Sequence, residues 1–233
     1  FIWKGKRRSR FSYQDCKNYW KLGMDYILFK KSISENIKVV AVSKTKSIEK
    51  IKDIYDLGHR EFGENKVQEL VKKYEDLPKD INWHLIGKLQ RNKVKYIAPF
   101  IHLIHSVDSE RLLSQINKEG DKNNRIINVL LQIKISNDPL KTGFEYSELG
   151  DMFYSNIFLK YKFVKILGFM GIGSIDQSKN VKEFSKISDY FKKINKIHVL
   201  KYLSVGMSND YKLAIKYNSN MIRIGSLIFG SRS

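Results

Sequence analysis

The chain has 233 residues, 42% of them apolar and 12% aromatic, which suits one large packed core and argues against disorder. Its net charge of +19 raises nucleic acid or an acidic membrane surface as partners. The charge is concentrated only at the start, where residues 1–31 hold nine Lys/Arg against Asp15 and Asp25; beyond that, cations interleave with Glu and Asp. Cys16 is the one cysteine, which excludes a disulfide framework and a thiolate metal site and fits a reducing, cytoplasmic setting. No apolar run approaches the roughly 20 residues of a membrane span.

The first ten residues are basic and acid-free, and we expect a flexible extension there, with an organelle-addressing role left open. Residues 11–34 carry Phe11, Tyr13, Tyr19, Trp20, Leu22, Met24, Ile27, Leu28 and Ile33, an amphipathic helix under the main fold. The chain therefore divides into an extension with a leading helix over 1–30 and a folded unit over 31–233.

From there an alternation runs to the end. Val39-Val40-Ala41-Val42 is a strand buried on both faces, placed at 38–44, with Lys44 at its C-terminal end. A helix over 47–57 stops at Gly58, and a short strand spans Arg60 to Asn65. Trp83 to Gly87 is the third strand and 101–107 the fourth, followed by a helix capped by Ser109 and closed by Gly120. Ile126–Ile135 is the fifth strand, with a helix at 145–157, and Val164–Ile172 the sixth. Val181, Phe184, Ile187, Phe191 and Ile194 stripe the next helix. The seventh strand lies at 199–205 before Gly206-Met207-Ser208, and Met221-Ile222-Arg223-Ile224 is the eighth. Eight strands alternating with helices predict a single TIM-type (β/α)8 barrel. An open doubly wound sheet would usually carry a glycine-rich turn after its first strand, and none is present.

In such a barrel, chemistry sits at the C-terminal strand ends. Lys44 sits there, where partial desolvation among other cations favours the neutral amine that adds to an aldehyde as a Schiff base. Ends seven and eight are rich in Gly and hydroxyl residues, where a phosphate commonly docks because bare backbone N–H groups can approach it. Arg223 puts a permanent cation in the barrel mouth; beside a pyridine nitrogen it would keep that nitrogen unprotonated and weaken the ring as an electron sink. The histidines offer no expected metal site: His102 and His105, three apart in a strand, should face opposite ways, and His84 beside Trp83 reads as a core residue. Glu61 and Glu64 read as two acids at one strand end.

Six ordered motifs carry a resemblance: Ala41-Val42-Ser43-Lys44-Thr45-Lys46; Phe62-Gly63-Glu64-Asn65-Lys66-Val67-Gln68-Glu69; Trp83 through Lys93; Leu167-Gly168-Phe169-Met170; Leu203 through Asp210; and Ile222-Arg223-Ile224-Gly225. From about residue 36 onward the chain resembles the pyridoxal phosphate homeostasis protein family. The resemblance implies a barrel like the N-terminal domain of alanine racemase, with pyridoxal 5′-phosphate (PLP) on Lys44 as an internal aldimine. It implies that Ser208, Gly225 and Ser226 hold the phosphate beside Met207, that Arg223 faces the pyridine nitrogen, and that Asn65 lies near the ring. Ser226 stands where Thr is usual, keeping the hydroxyl, and Lys66 where Tyr is common. The implied role is a monomeric carrier that binds, buffers and delivers PLP to PLP-dependent apoenzymes, without strong catalysis. Two alternatives remain: a weak single-domain amino-acid racemase, and a basic nucleic-acid-binding barrel. The racemase would need acid/base groups on both faces of the substrate carbon, which alanine racemases complete with a second domain that this chain has no residues left to build.

Overall fold

The computed structural model describes residues 13–230 apart from 137, 139 and 140, with side chains from Leu22 onward. The extension expected over residues 1–10 lies outside the described residues. The leading helix is present as α1, Tyr13–Lys31, with Tyr26 and Phe29 buried.

Eight strands follow: β1 Lys38–Val42, β2 Glu61–Glu64, β3 Asn82–Leu85, β4 Leu103–Val107, β5 Ile127–Ile133, β6 Val164–Gly171, β7 Tyr202–Met207 and β8 Met221–Ile224. Each pairs in parallel with the next, and β8 pairs with β1, so the sheet closes into the expected barrel. The intervening helices are α2 Ile48–Asp56, α3 Val67–Asp76, the short α4 Val94–Ile97, α5 Glu110–Lys122, α6 Tyr146–Tyr154, α7 Asn180–Ile194 and α8 Tyr211–Lys216, with α9 Ser226–Phe229 after β8. α5 begins as its sequence suggests, with Ser109 Oγ accepting from Leu112 N–H. α1 packs on both α2 and α9, and Phe29 meets Tyr211 edge-on at 5.6 Å, so the leading helix bridges the two ends of the barrel's strand order.

Strand periodicity divides the core in two. Trp83, Phe62, Ile51, Ile54, Leu70, Phe169 and Phe184 belong to the large cluster between sheet and helices. Each such fully buried side chain contributes about 1.5–3 kcal/mol, so this outer layer dominates stability. Val40, Leu103, Leu130, Met170 and Met221 form a separate small cluster. The barrel is therefore filled rather than hollow.

Most strands are shorter than the apolar runs suggest. β1 stops at Val42 and β3 at Leu85, although Ser43 N–H still donates to the Gly63 carbonyl (3.0 Å) and Ile86 N–H to the Glu64 carbonyl (2.9 Å) as the chain leaves the sheet. β7 is shifted toward the C-terminus, at Tyr202–Met207 rather than 199–205.

One glycine is demanded by the sheet. Between Val129 and Leu130 the β5–β6 register slips, so that Leu167 is passed over and Gly168 pairs with Leu130. Gly168 has φ +147, and a Cβ there would collide with the carbonyl oxygen of Tyr202. Gly168→Ala is expected to destabilise the barrel by about 3 kcal/mol or more, read as a lowered urea midpoint.

Candidate functional site at the C-terminal mouth

Because all strands run in parallel, their C-terminal ends share one mouth. Pairing of Val42 with Gly63 sets Lys44 level with Asn65, each two residues further along. Val40 and Met207 both pair with Arg223, so β7, β8, β1 and β2 lie side by side. Lys44, Asn65, Met207, Ser208, Arg223, Gly225 and Ser226 thus come from four consecutive staves of the barrel.

Lys44 lies in the turn after β1 rather than in the strand, half-buried and followed by Thr45 in the left-handed region at φ 63. That turn is clamped on both sides of the lysine. Before it, Ser43 is fully buried; its Oγ donates to Glu64 Oε1 (2.5 Å), and its carbonyl accepts from Lys73 Nζ (2.8 Å). After it, Thr45 N–H donates to Glu69 Oε1 (2.6 Å). Lys73 in turn donates to both Glu64 Oε1 (2.8 Å) and Glu69 Oε1 (2.7 Å), closing the network beneath the turn. Burial pushes the Glu64 carboxyl up to about 7, against the opposing pull of Lys73 and Ser43. Sequence reasoning missed Lys73. The one signal was Glu69–Lys73 at i, i+4, which ordinarily marks a solvent-facing helix pair.

On the other side, Ser208 Oγ accepts from Gly225 N–H (3.2 Å), bringing the two Gly/Ser strand ends into contact. Met207 N–H donates to Asp210 Oδ1 (2.6 Å), leaving the Met207 side chain exposed, and Ser226 is exposed as the first residue of α9. A Cβ at Gly225 would approach nothing nearer than Val42 at 3.6 Å. Packing within the chain does not require this glycine; its bare backbone is open to an outside group.

Arg223 is 4% exposed, its guanidinium turned into the barrel. Nη1 donates to the Ser204 carbonyl (2.7 Å) and Oγ (2.8 Å), and Nη2 to the Gly171 carbonyl (2.9 Å). Burial lowers it to about 10, still a cation at neutral pH. Among the described residues no carboxylate forms an ion pair with it; three hydrogen bonds to backbone and hydroxyl oxygens hold it, and the charge of Asp210 acts on it from further off. Asn65, Gly87 and Lys88 line an adjoining groove of about 270 Å³.

Two expectations are corrected. Glu61 opens β2 and Glu64 ends it, so these acids lie at opposite mouths rather than at one strand end. His102 precedes β4 rather than lying in it, so strand alternation does not separate it from His105; both rings approach His84, with centroids at 5.4 and 5.1 Å. His84 and His105 are fully buried, and burial holds both below the ordinary imidazole value, as it does His102, at about 4.

The fold and this mouth place the protein among the PLP-type barrels of alanine racemases: the alanine racemase N-terminal domain family matches residues 26–233. Alanine racemase of Clostridium difficile superposes with a TM-score of 0.73 at 15% identity, over 91% of this chain and 56% of the enzyme, a likeness of fold. Within that class, the pyridoxal phosphate homeostasis protein of Aquifex aeolicus is 37% identical over 84% of this chain and 87% of its own length. The protein of that name from Schizosaccharomyces pombe is 38% identical over 84% and 85%. PipY of Synechococcus elongatus, solved without PLP, superposes with a TM-score of 0.83 at 30% identity, covering 90% of this chain and all of PipY. PipY has also been solved with PLP bound, at a TM-score of 0.81. The chain belongs to the pyridoxal phosphate homeostasis protein family.

The clamp beneath Lys44 has a pH signature. Glu64 takes its proton more readily when folded than its ordinary value of 4.5, so its contribution to stability is full below that value. It is lost as pH rises through about 7. Denaturant titrations should give greater stability at the acid end of this window, and Glu64→Gln should flatten that slope. Lys73→Met, which strands buried carboxylates, should cost about 3–5 kcal/mol at neutral pH, and less as Glu64 protonates.

Proposed function

We propose that the barrel binds PLP at its C-terminal mouth and acts in vitamin B6 homeostasis as a cofactor reservoir and carrier. The observation that carries this reading is Arg223, a buried cation with no carboxylate in ion-pair contact among the described residues, set among strand ends that leave bare backbone at Gly225 and a hydroxyl at Ser208. Such a site suits a ligand with one acceptor nitrogen and one phosphate. The homologous PLP-bound PipY supports the same ligand.

PLP supplies an aldehyde and an electron-withdrawing ring. Lys44 would hold the cofactor at that aldehyde through its amine, the type of group that condenses with a carbonyl carbon. Ser208, Gly225 and Ser226 would hold the phosphate, beside Met207. Arg223 would face the ring nitrogen; a guanidinium does not give up its proton, so it would leave that nitrogen unprotonated. Asn65, level with Lys44, would lie near the ring. Held by Lys73, Glu64 and Glu69, the Lys44 turn keeps the amine in place at little entropic cost when the cofactor enters. A bound ring with a damped electron sink suits storage and transfer to PLP-dependent apoenzymes better than racemisation. No helix among the described residues is long and apolar enough to cross a membrane.

Visible absorption of the purified full chain with added PLP tests this. A yellow band abolished by borohydride, with the reduced pyridoxyl group mapped to Lys44 and no band in Lys44→Ala, is expected. A band indifferent to Lys44→Ala would overturn the assignment. Ser208→Ala and Ser226→Ala should each raise the PLP dissociation constant about tenfold, the worth of one hydrogen bond to a charged group. Chiral chromatography after incubation with L-alanine should show no enantiomer turnover; steady turnover would favour the racemase reading.

A further inference from the structure

At the opposite, N-terminal mouth a second group of functional side chains converges. Glu61 opens β2, His84 lies within β3 and His102 directly precedes β4, and one ligand atom from each lies within 4.8 Å of the others. His84 Nε2 is 2.6 Å from Glu61 Oε2. His84 is fully buried, whereas Glu61 and His102 are partly exposed. A cleft of about 530 Å³, lined by Lys38, His59, Lys201 and Tyr202, reaches the group at Glu61.

We infer that Glu61, His84 and His102 form a site for a divalent transition ion of the zinc class, with three protein ligands and the remaining position open to water. Two imidazoles and one carboxylate suit such borderline ions; Mg²⁺ and Ca²⁺ prefer all-oxygen shells.

The surrounding groups already form the outer shell that metal ligands require. Glu61 Oε1 accepts from Lys38 Nζ (2.5 Å) and Asn82 Nδ2 (3.1 Å), which leaves Oε2 turned toward His84. His84 Nδ1 lies 2.8 Å from His105 Nε2, and His105 Nδ1 lies 3.1 Å from Ser204 Oγ, which also accepts from Arg223. Without a metal, the protons run one way: His105 Nε2–H donates to His84 Nδ1, and His84 Nε2–H donates to Glu61. Ligation through His84 Nε2 moves that ring's proton to Nδ1, which donates to His105; His105 then carries its own on Nδ1 and donates to Ser204. Each ring stays neutral, and every member can both donate and accept, so the line serves either direction. Lys38, 29% exposed, can turn its ammonium into water as the ion's charge arrives. The site does not depend on PLP binding.

The test is a Co²⁺ titration of the full chain after chelator dialysis, followed by visible d–d absorption and competition with Zn²⁺. One saturable equivalent, displaced by Zn²⁺, is expected. His102→Ala and Glu61→Gln should each weaken it by about a hundredfold or more, and Lys44→Ala should leave it unchanged. Zn²⁺ should raise the unfolding temperature of the wild type and not of His102→Ala, whose circular dichroism reports that it is folded. Absence of saturable Co²⁺ absorption, or equal affinity in wild type and His102→Ala, would overturn the site and leave Glu61–His84 as a hydrogen-bonded stopper. Neither result bears on PLP binding at the other mouth.

Discussion

Pairing of β8 with β1 is the constraint on which the C-terminal mouth depends. It joins segments some 180 residues apart, with Lys38 opposite Met221 and Ala41 opposite Ile224. Through it, the turn bearing Lys44 is carried to within reach of Gly225 and Ser226. Lys46 reinforces the closure, its Nζ donating to the carbonyls of Phe229 (3.3 Å) and Gly230 (3.4 Å). α1 packs across the same region by meeting α9, so hydrophobic burial outside the sheet holds the closure that hydrogen bonds make within it.

The barrel interior is unusual in carrying a continuous polar line among its apolar side chains. From Arg223 it passes through Ser204, His105 and His84 to Glu61, joining a cation at one end to an anion at the other through neutral groups. Each member has a partner, and this offsets the desolvation that an isolated buried polar group would suffer. The arrangement fixes the Arg223 guanidinium in the lumen without a directly opposing carboxylate, which leaves its charge available to a ligand. The same line gives the far mouth a tautomerically adaptable outer shell, so the two ends of the barrel share one set of buried hydrogen bonds.

Much of this was legible before any coordinates. Val39 to Val42, Ile127 to Ile133 and Met221 to Ile224 announce themselves as strands because β-branched and apolar residues crowd into short runs, and α7 announces itself through its Phe184–Ile187–Phe191–Ile194 stripe. The candidate site was legible for the same reason: in a parallel barrel the strand order alone sends Lys44, Asn65, Ser208 and Gly225 to one mouth. The clamp of Lys73 on Glu64 and Glu69 was not, since a lysine on an amphipathic helix ordinarily points to water. Nor was the meeting of His84, His102 and His105, because strand alternation was applied to a residue that lies just outside the strand.

By itself, then, the sequence determined which segments are strands and helices, their order, and the chemical types at each strand end, since periodicity and local composition are properties of short windows. Tertiary structure alone decided where each strand stops, that Glu61 and Glu64 serve opposite mouths, and that Arg223 is buried with no described carboxylate in ion-pair contact. It also decided that Ser43 and Thr45 are gripped from α3. These features depend on how neighbouring strands and helices are brought together, which periodicity along the chain does not set.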